Sequence, residues 1–131
     1  PGTRSAQGSA RMSMEREVKD LLKSLGVPVV WGAFDRDVGF PRITLQRIST
    51  VTRYSLTGRA DLETARVQVN IAAKTYGALL SLGREVSSTL TTYRGGSVIR
   101  IKELTRRDSH VETGGDVIRL QMLDVQVRYR A

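Results

Sequence analysis

The stretch RRDSHVE, residues 106–112, sets an acid, a hydroxyl and the chain's one histidine side by side as Asp108, Ser109 and His110. Those residue types make up a nucleophilic triad, in which a histidine oriented by a carboxylate takes the proton of a hydroxyl. The spacing argues against one. A triad is an arrangement in space, and consecutive residues of an extended segment point in different directions. The stretch RGGS at 94–97 has the glycines of a small anion-binding nest, but reads more simply as a helix C-cap followed by a turn. There is no cysteine and no second histidine for a transition-metal site, and no loop has the spacing of calcium ligands. Walker and dinucleotide glycine patterns are absent. A carboxylate-only metal site stays open; otherwise the residues make no case for catalysis or for a cofactor.

What remains is charge. Lysine and arginine total 21 against 13 aspartate and glutamate, a net charge of +8. Only Lys19, Lys23, Lys74 and Lys102 are lysines; every other basic residue is arginine. The guanidinium fork pairs with carboxylates and phosphates and is more easily desolvated than an ammonium. Such a surface suits an acidic protein partner or a nucleic acid. Aromatic residues make up 5% of the chain, few for stacking bases, and none of the common nucleic-acid-binding motifs appears.

The elements that position these charges follow from periodicity. At 131 residues one domain is the natural count, and no apolar run approaches the length of a membrane span. Residues 1–13 are small and polar and read as a flexible N-terminal arm; residues 14–131 read as a single domain. Met14, Val18, Leu21, Leu22 and Leu25 fall on one face of a first helix, capped by Ser13 and stopped by Gly26 and Pro28. VPVVWG is a short strand, with Trp31 at least partly buried. RITLQRISTV is a strand with Ile43 and Leu45 inward and a phase that loosens near Arg47 and Ile48. Residues 53–65 show no sustained period and read as a long loop or projecting hairpin. ARVQVNIAA alternates cleanly, with Val67, Val69 and Ile71 on one side. A second helix carries Leu79, Leu82, Val86 and Leu90, with Gly83 inside it at a close packing point. SVIRIKEL is a strand with Ile99 and Ile101 on one face. TRRDSHVETGGD reads as a turn-rich connection.

The chain closes on VIRLQMLDVQVRYR, whose apolar phase switches between Met122 and Leu123, the mark of a bulge or bend. The fold class is α+β: one mostly antiparallel or mixed sheet with two amphipathic helices packed on one face. The other face then carries Arg66, Gln68, Asn70, Arg100, Lys102 and Arg119.

From Pro41 to Arg130 the order of motifs resembles the tail terminator or tail completion proteins of long-tailed bacteriophages and gene transfer agents. The resemblance rests on PRITLQRIS, then LTGRADLETARVQVNIAAKTYGALLSLGREVSSTL, YRGGSVIRI, RRDSHVE and the final strand. RVQVNI running into AKTYGAL is its most specific part.

The resemblance implies a structural virion protein and no enzyme. Such proteins form a ring, usually hexameric, on the head-proximal end of the tail tube; the ring stops tube polymerisation and offers the surface that joins the head. The implied partners are further copies of the chain, the tail tube protein and a neck or stopper protein. DNA passes through the channel without specific binding. The implied station is the virion tail, with host cytoplasm during assembly. Arginine and aromatic anchors at ring contacts make Arg66, Arg100, Arg119, Arg128 and Tyr129 candidate interface residues. Arg53, Tyr54 and Arg59 join them from the 53–65 segment. A basic nucleic-acid-binding module and a neck or head–tail connector protein are the alternative functions.

Overall fold

A computed structural model describes residues 13–36, 38–55 and 58–130, and their side chains outside 51–61 and 113. The elements are helix α1 (Met14–Lys23), strands β1 (Val29–Trp31), β2 (Arg42–Ser55) and β3 (Gly58–Ala73), helix α2 (Tyr76–Thr92), and strands β4 (Val98–Thr113) and β5 (Asp116–Arg130). The expected N-terminal arm lies outside the described residues, except for Ser13, whose hydroxyl caps α1 by accepting from Arg16 N at 3.2 Å.

The strands form one five-stranded sheet in the order β1-β2-β3-β5-β4. Only β1 and β2 pair in parallel; the other pairs are antiparallel. The α+β expectation of a mostly antiparallel sheet with two helices is borne out. The core lies between the helices and one face of the sheet. Met14, Val18 and Leu22 of α1 and Leu79, Leu82, Val86 and Leu90 of α2 pack on the odd-numbered side chains of β3 and β5. Trp31 is half-buried at the edge of this core, its indole N–H donating to Glu15 O at 2.8 Å.

Two segments read as irregular in the sequence are strand. β2 and β3 run on through 53–65 as a long hairpin, so the projecting-hairpin alternative is the one found. Register shifts at Arg47/Ser49 and Thr52/Tyr54 break its period, and Ile48 is left 49% exposed. The turn-rich connection after Leu104 is instead the outer half of β4, which continues to a tight turn at Gly114 and Gly115, both at positive φ. Residues 104–112 are all exposed on an edge strand that pairs only with β5. With no buried side, this segment has no alternation to read.

The bend expected inside the last strand is absent. β5 pairs with β3 without interruption from Arg119 to Arg130, and the extra residues sit in β4, at the Val98/Arg100 and Glu103/Thr105 shifts. Because of the first shift, Val98 and Ile101 share the core, rather than Ile99 and Ile101. Gln121 continues the core-facing phase of Leu123, Val125 and Val127, and is 1% exposed. Leu120 and Met122 fall on the helix-free face, half-buried. The switch of apolar residues therefore reflects two faces of a straight strand, each apolar for part of its length.

Candidate interface on the helix-free sheet face

Directly paired residues of an antiparallel ladder share a face, so the register assigns the helix-free side. Arg128 lies between Thr64 of β3 and Arg100 of β4; Gln126 lies between Arg66 and Lys102. Asp124 lies between Gln68 and Thr105, and Arg130 faces Leu62. From Asp124 to Arg130 this face thus carries five cations (Arg66, Arg100, Lys102, Arg128, Arg130) and one acid, Asp124. Asp124 is taken: Arg66 Nη2 donates to its Oδ2 at 2.8 Å and Thr105 Oγ1 at 3.3 Å. Among the described residues Arg100, Lys102 and Arg128 have no ion pair. With Thr64 and Gln126 they line a shallow depression of about 230 Å³. Farther along the same face β4 adds Arg107 and β2 adds Arg42. The sequence alternation turns Arg42 away from the inward Ile43 and Leu45 and sets Arg130 opposite in phase to Tyr129, but it does not place Arg107. Arg107 reaches this face through the register shift at Glu103/Thr105, which strict alternation from Arg100 and Lys102 would miss.

Of the residues singled out in the sequence, Arg66, Arg100 and Arg128 share this open face. Arg119 does not. Its partners in the ladder are Ala73 and His110, which puts it on the helix-bearing side, because no bulge in β5 reverses its phase. Tyr129 is a core residue, 5% exposed, with its hydroxyl donating to Glu63 Oε1 at 2.7 Å. Burial, reinforced by that hydrogen bond to a carboxylate, raises the Tyr129 pKa above 10.0. Arg53 and Tyr54 lie on β2 and Arg59 on β3, near the hairpin end. Their side chains are outside the described ones.

The apparent triad is dispersed by the strand. Asp108 and His110 face the helix-bearing side and Ser109 faces the other. Asp108 is already engaged, accepting from Tyr76 Oη at 3.0 Å and from Gln121 Nε2 at 2.9 Å. The bond to Asp108 raises the Tyr76 pKa. Among the described residues no group of three histidine, cysteine or acidic side chains is placed to hold a metal.

The RGGS turn does receive an anion, but an internal one. Glu17 of α1 is 4% exposed. Its carboxylate accepts from Ser97 N at 2.7 Å, from Ser97 Oγ, and from Tyr93 Oη at 3.1 Å. Gly96 has φ of +56°, and a Cβ there would run into the Glu17 carboxylate. Burial and the hydrogen bond to Glu17 raise the Tyr93 pKa. The sequence held a signal for this pairing: Glu17 stands three residues after Met14, on the buried stripe rather than the solvent side.

The site is therefore a basic, open sheet face, and among the described residues it gathers no catalytic constellation. The family model described as "Tail completion protein gp17" matches residues 12–131. The chain belongs to the tail completion protein gp17 family. Tail completion is a structural role in the virion tail, not an enzymatic one. No curated protein matches the chain. Among solved structures, a chain of the "Virion of native gene transfer agent (GTA) particle" has the same fold. The TM-score is 0.67 at 14% identity, covering 91% of this chain and 96% of that one. The fold of this tail completion protein thus has a counterpart in a gene transfer agent particle.

Proposed function

We propose that this tail completion protein forms a ring, hexameric by resemblance to tail terminators, on the head-proximal end of the tail tube. There it stops tube polymerisation and offers the joining surface for the head. The observation that carries the reading is the family match across nearly the whole described chain. The architecture supports it. Ring subunits need self-complementary or head-to-tail surfaces, and on one side this sheet ends in a long strand whose outer edge is open among the described residues. β4 is an edge strand of 16 residues, and its outer half leaves Leu104 and Val111 exposed. A long uncovered edge is a liability for a monomer and an asset for an assembling subunit.

In this proposal neighbouring subunits meet along the β4 edge and the end of the β2–β3 hairpin, where Arg53, Tyr54 and Arg59 lie, with Arg119 near the contact. The tube protein and a neck or stopper protein cover the two ends of the ring. The test is electron microscopy of particles made without this chain. Tubes of abnormal length, or tails free of heads, are the expected result; normal tails joined to filled heads would end the proposal.

A further inference from the structure

The basic end of the helix-free face has a composition of its own, and we infer that it is a sequence-independent binding surface for the phosphate backbone of duplex nucleic acid. Four observations carry this. The first is the charge imbalance, five cations to one acid, with that acid already paired to Arg66. The second is a pair of arginines held face to face. Arg100 and Arg128 are direct partners in the ladder, an arrangement that is unfavourable in the free chain and is relieved by an anion lying over both. Thirdly, apart from Leu62 opposite Arg130, the neutral residues among the cations on β3, β4 and β5 are hydroxyls and amides: Thr64, Gln68, Thr105 and Gln126. These side chains, with arginine and lysine, make most contacts to nucleic-acid phosphates. Finally, the depression lined by Thr64, Arg100, Lys102, Gln126 and Arg128 contains no apolar or aromatic side chain. A protein partner is normally anchored by such groups, and single strands are held by stacking on aromatics. A duplex backbone needs neither.

The surface reads charge and not sequence, so its affinity is set by counterion release. The logarithm of the binding constant falls linearly with the logarithm of salt concentration, by about 0.9 for each phosphate neutralised. The experiment uses the full chain and a short fluorescent duplex, with polarisation followed over a salt series. Binding that weakens steeply with salt, and is equal for duplexes of unrelated sequence, is expected. The variant Arg100→Gln/Lys102→Gln/Arg128→Gln should lose about 2 to 3 from the slope. Lys19→Gln/Lys23→Gln/Arg84→Gln, which removes the same charge from the helices, should lose much less.

Circular dichroism checks that each variant is folded. Arg100→Gln alone, expected to lower the slope by about 1, carries the test should the triple variant not fold. Absence of duplex binding at low salt would overturn the inference. So would equal loss in the two triple variants, or labelled polyglutamate binding as tightly as the duplex, which would mark an acidic-protein surface. The measurement is made in solution. Its failure therefore leaves the ring proposal, judged on particle tails, where it stands.

Discussion

Arg100 and Arg128 stand directly opposite each other across the β4–β5 ladder, both exposed, with neither in an ion pair among the described residues. Like charges in this position destabilise a sheet. Arg100→Glu turns the repulsion into a cross-strand ion pair. It should stabilise the isolated chain by roughly 0.2–1 kcal/mol, read as a higher urea midpoint at an unchanged slope. The same change should weaken duplex binding. A lower midpoint would mean that the two arginines do not oppose each other in solution.

The Glu17–RGGS contact predicts a large effect from a buried acid in the first turn of α1. Glu17→Ala removes the acceptor of Ser97 N, Ser97 Oγ and Tyr93 Oη at a buried position. Hydrogen bonds to a charged group contribute about 1.5–3 kcal/mol, and stranded buried donors add to the loss. A destabilisation of about 3 kcal/mol is expected on chemical denaturation. Gly96→Ala should also be costly, since it combines a left-handed backbone with a collision against the same carboxylate.

Gly83 and Gln121 should behave as one unit. A Cβ on Gly83 would overlap Gln121 Oε1, a buried acceptor without a hydrogen-bond partner. Glycine to alanine within a helix normally stabilises by up to about 1 kcal/mol. Here the clash displaces a buried amide that holds Asp108, and overpacking of this kind costs about 1–3 kcal/mol. Gly83→Ala is therefore expected to destabilise the native chain and to stabilise a Gln121→Ala background. A double-mutant cycle showing simple additivity would remove the coupling.

These relationships also mark how far the sequence could be read. The helix stripes, the inward Ile43 and Leu45, and the alternation of Val67, Val69 and Ile71 were legible because each has one dry side and one wet side. Residues 104–112 were not, because an edge strand exposed on both faces has no alternation. Arg119 was assigned to the wrong face for a related reason. Leu120 and Met122 look like core residues but lie on the helix-free side, and the apparent change of phase suggested a bulge in β5 that the register places in β4. The candidate face was half legible. Arg66, Arg100, Lys102 and Arg128 follow from alternation alone, while the opposition of Arg100 to Arg128 requires a register that no local pattern encodes.

Stability should decline at high pH through Tyr93 and Tyr129. Burial comes first among the causes that raise both phenols above 10.0, followed by hydrogen bonds to Glu17 and Glu63. A raised folded-state pKa means that the unfolded chain loses its protons first as pH rises. The contribution is complete below the unfolded value near 10 and is lost as pH climbs through the folded value. Tyr93→Phe should lower stability at neutral pH, by removing the bond to Glu17, while flattening the decline above pH 10. Glu103 gives the opposite limb. Burial pushes its carboxyl up, but hydrogen bonds from Arg106 and Ser87 outweigh that and hold it below 4.5. Its contribution is present above the unfolded value and fades as pH falls through the folded one. Denaturation midpoints across pH, for the native chain and Tyr93→Phe, check both signs.

Leu104 and Val111 separate folding from assembly. They are 40% and 49% exposed on the outer half of β4, and among the described residues no other strand lies beyond that edge. Substitution at exposed sites of this kind changes stability by no more than about 0.5 kcal/mol. Leu104→Lys/Val111→Lys should therefore unfold at close to the native urea midpoint. If neighbouring subunits meet along this edge, two lysines must be desolvated against a strand, and charge on an edge blocks pairing. Sedimentation should then show subunits that no longer assemble, and particles carrying the variant should resemble those lacking the chain. Retention of full assembly would move the subunit contact away from β4 and leave the hairpin end of β2 and β3 as the surface to test.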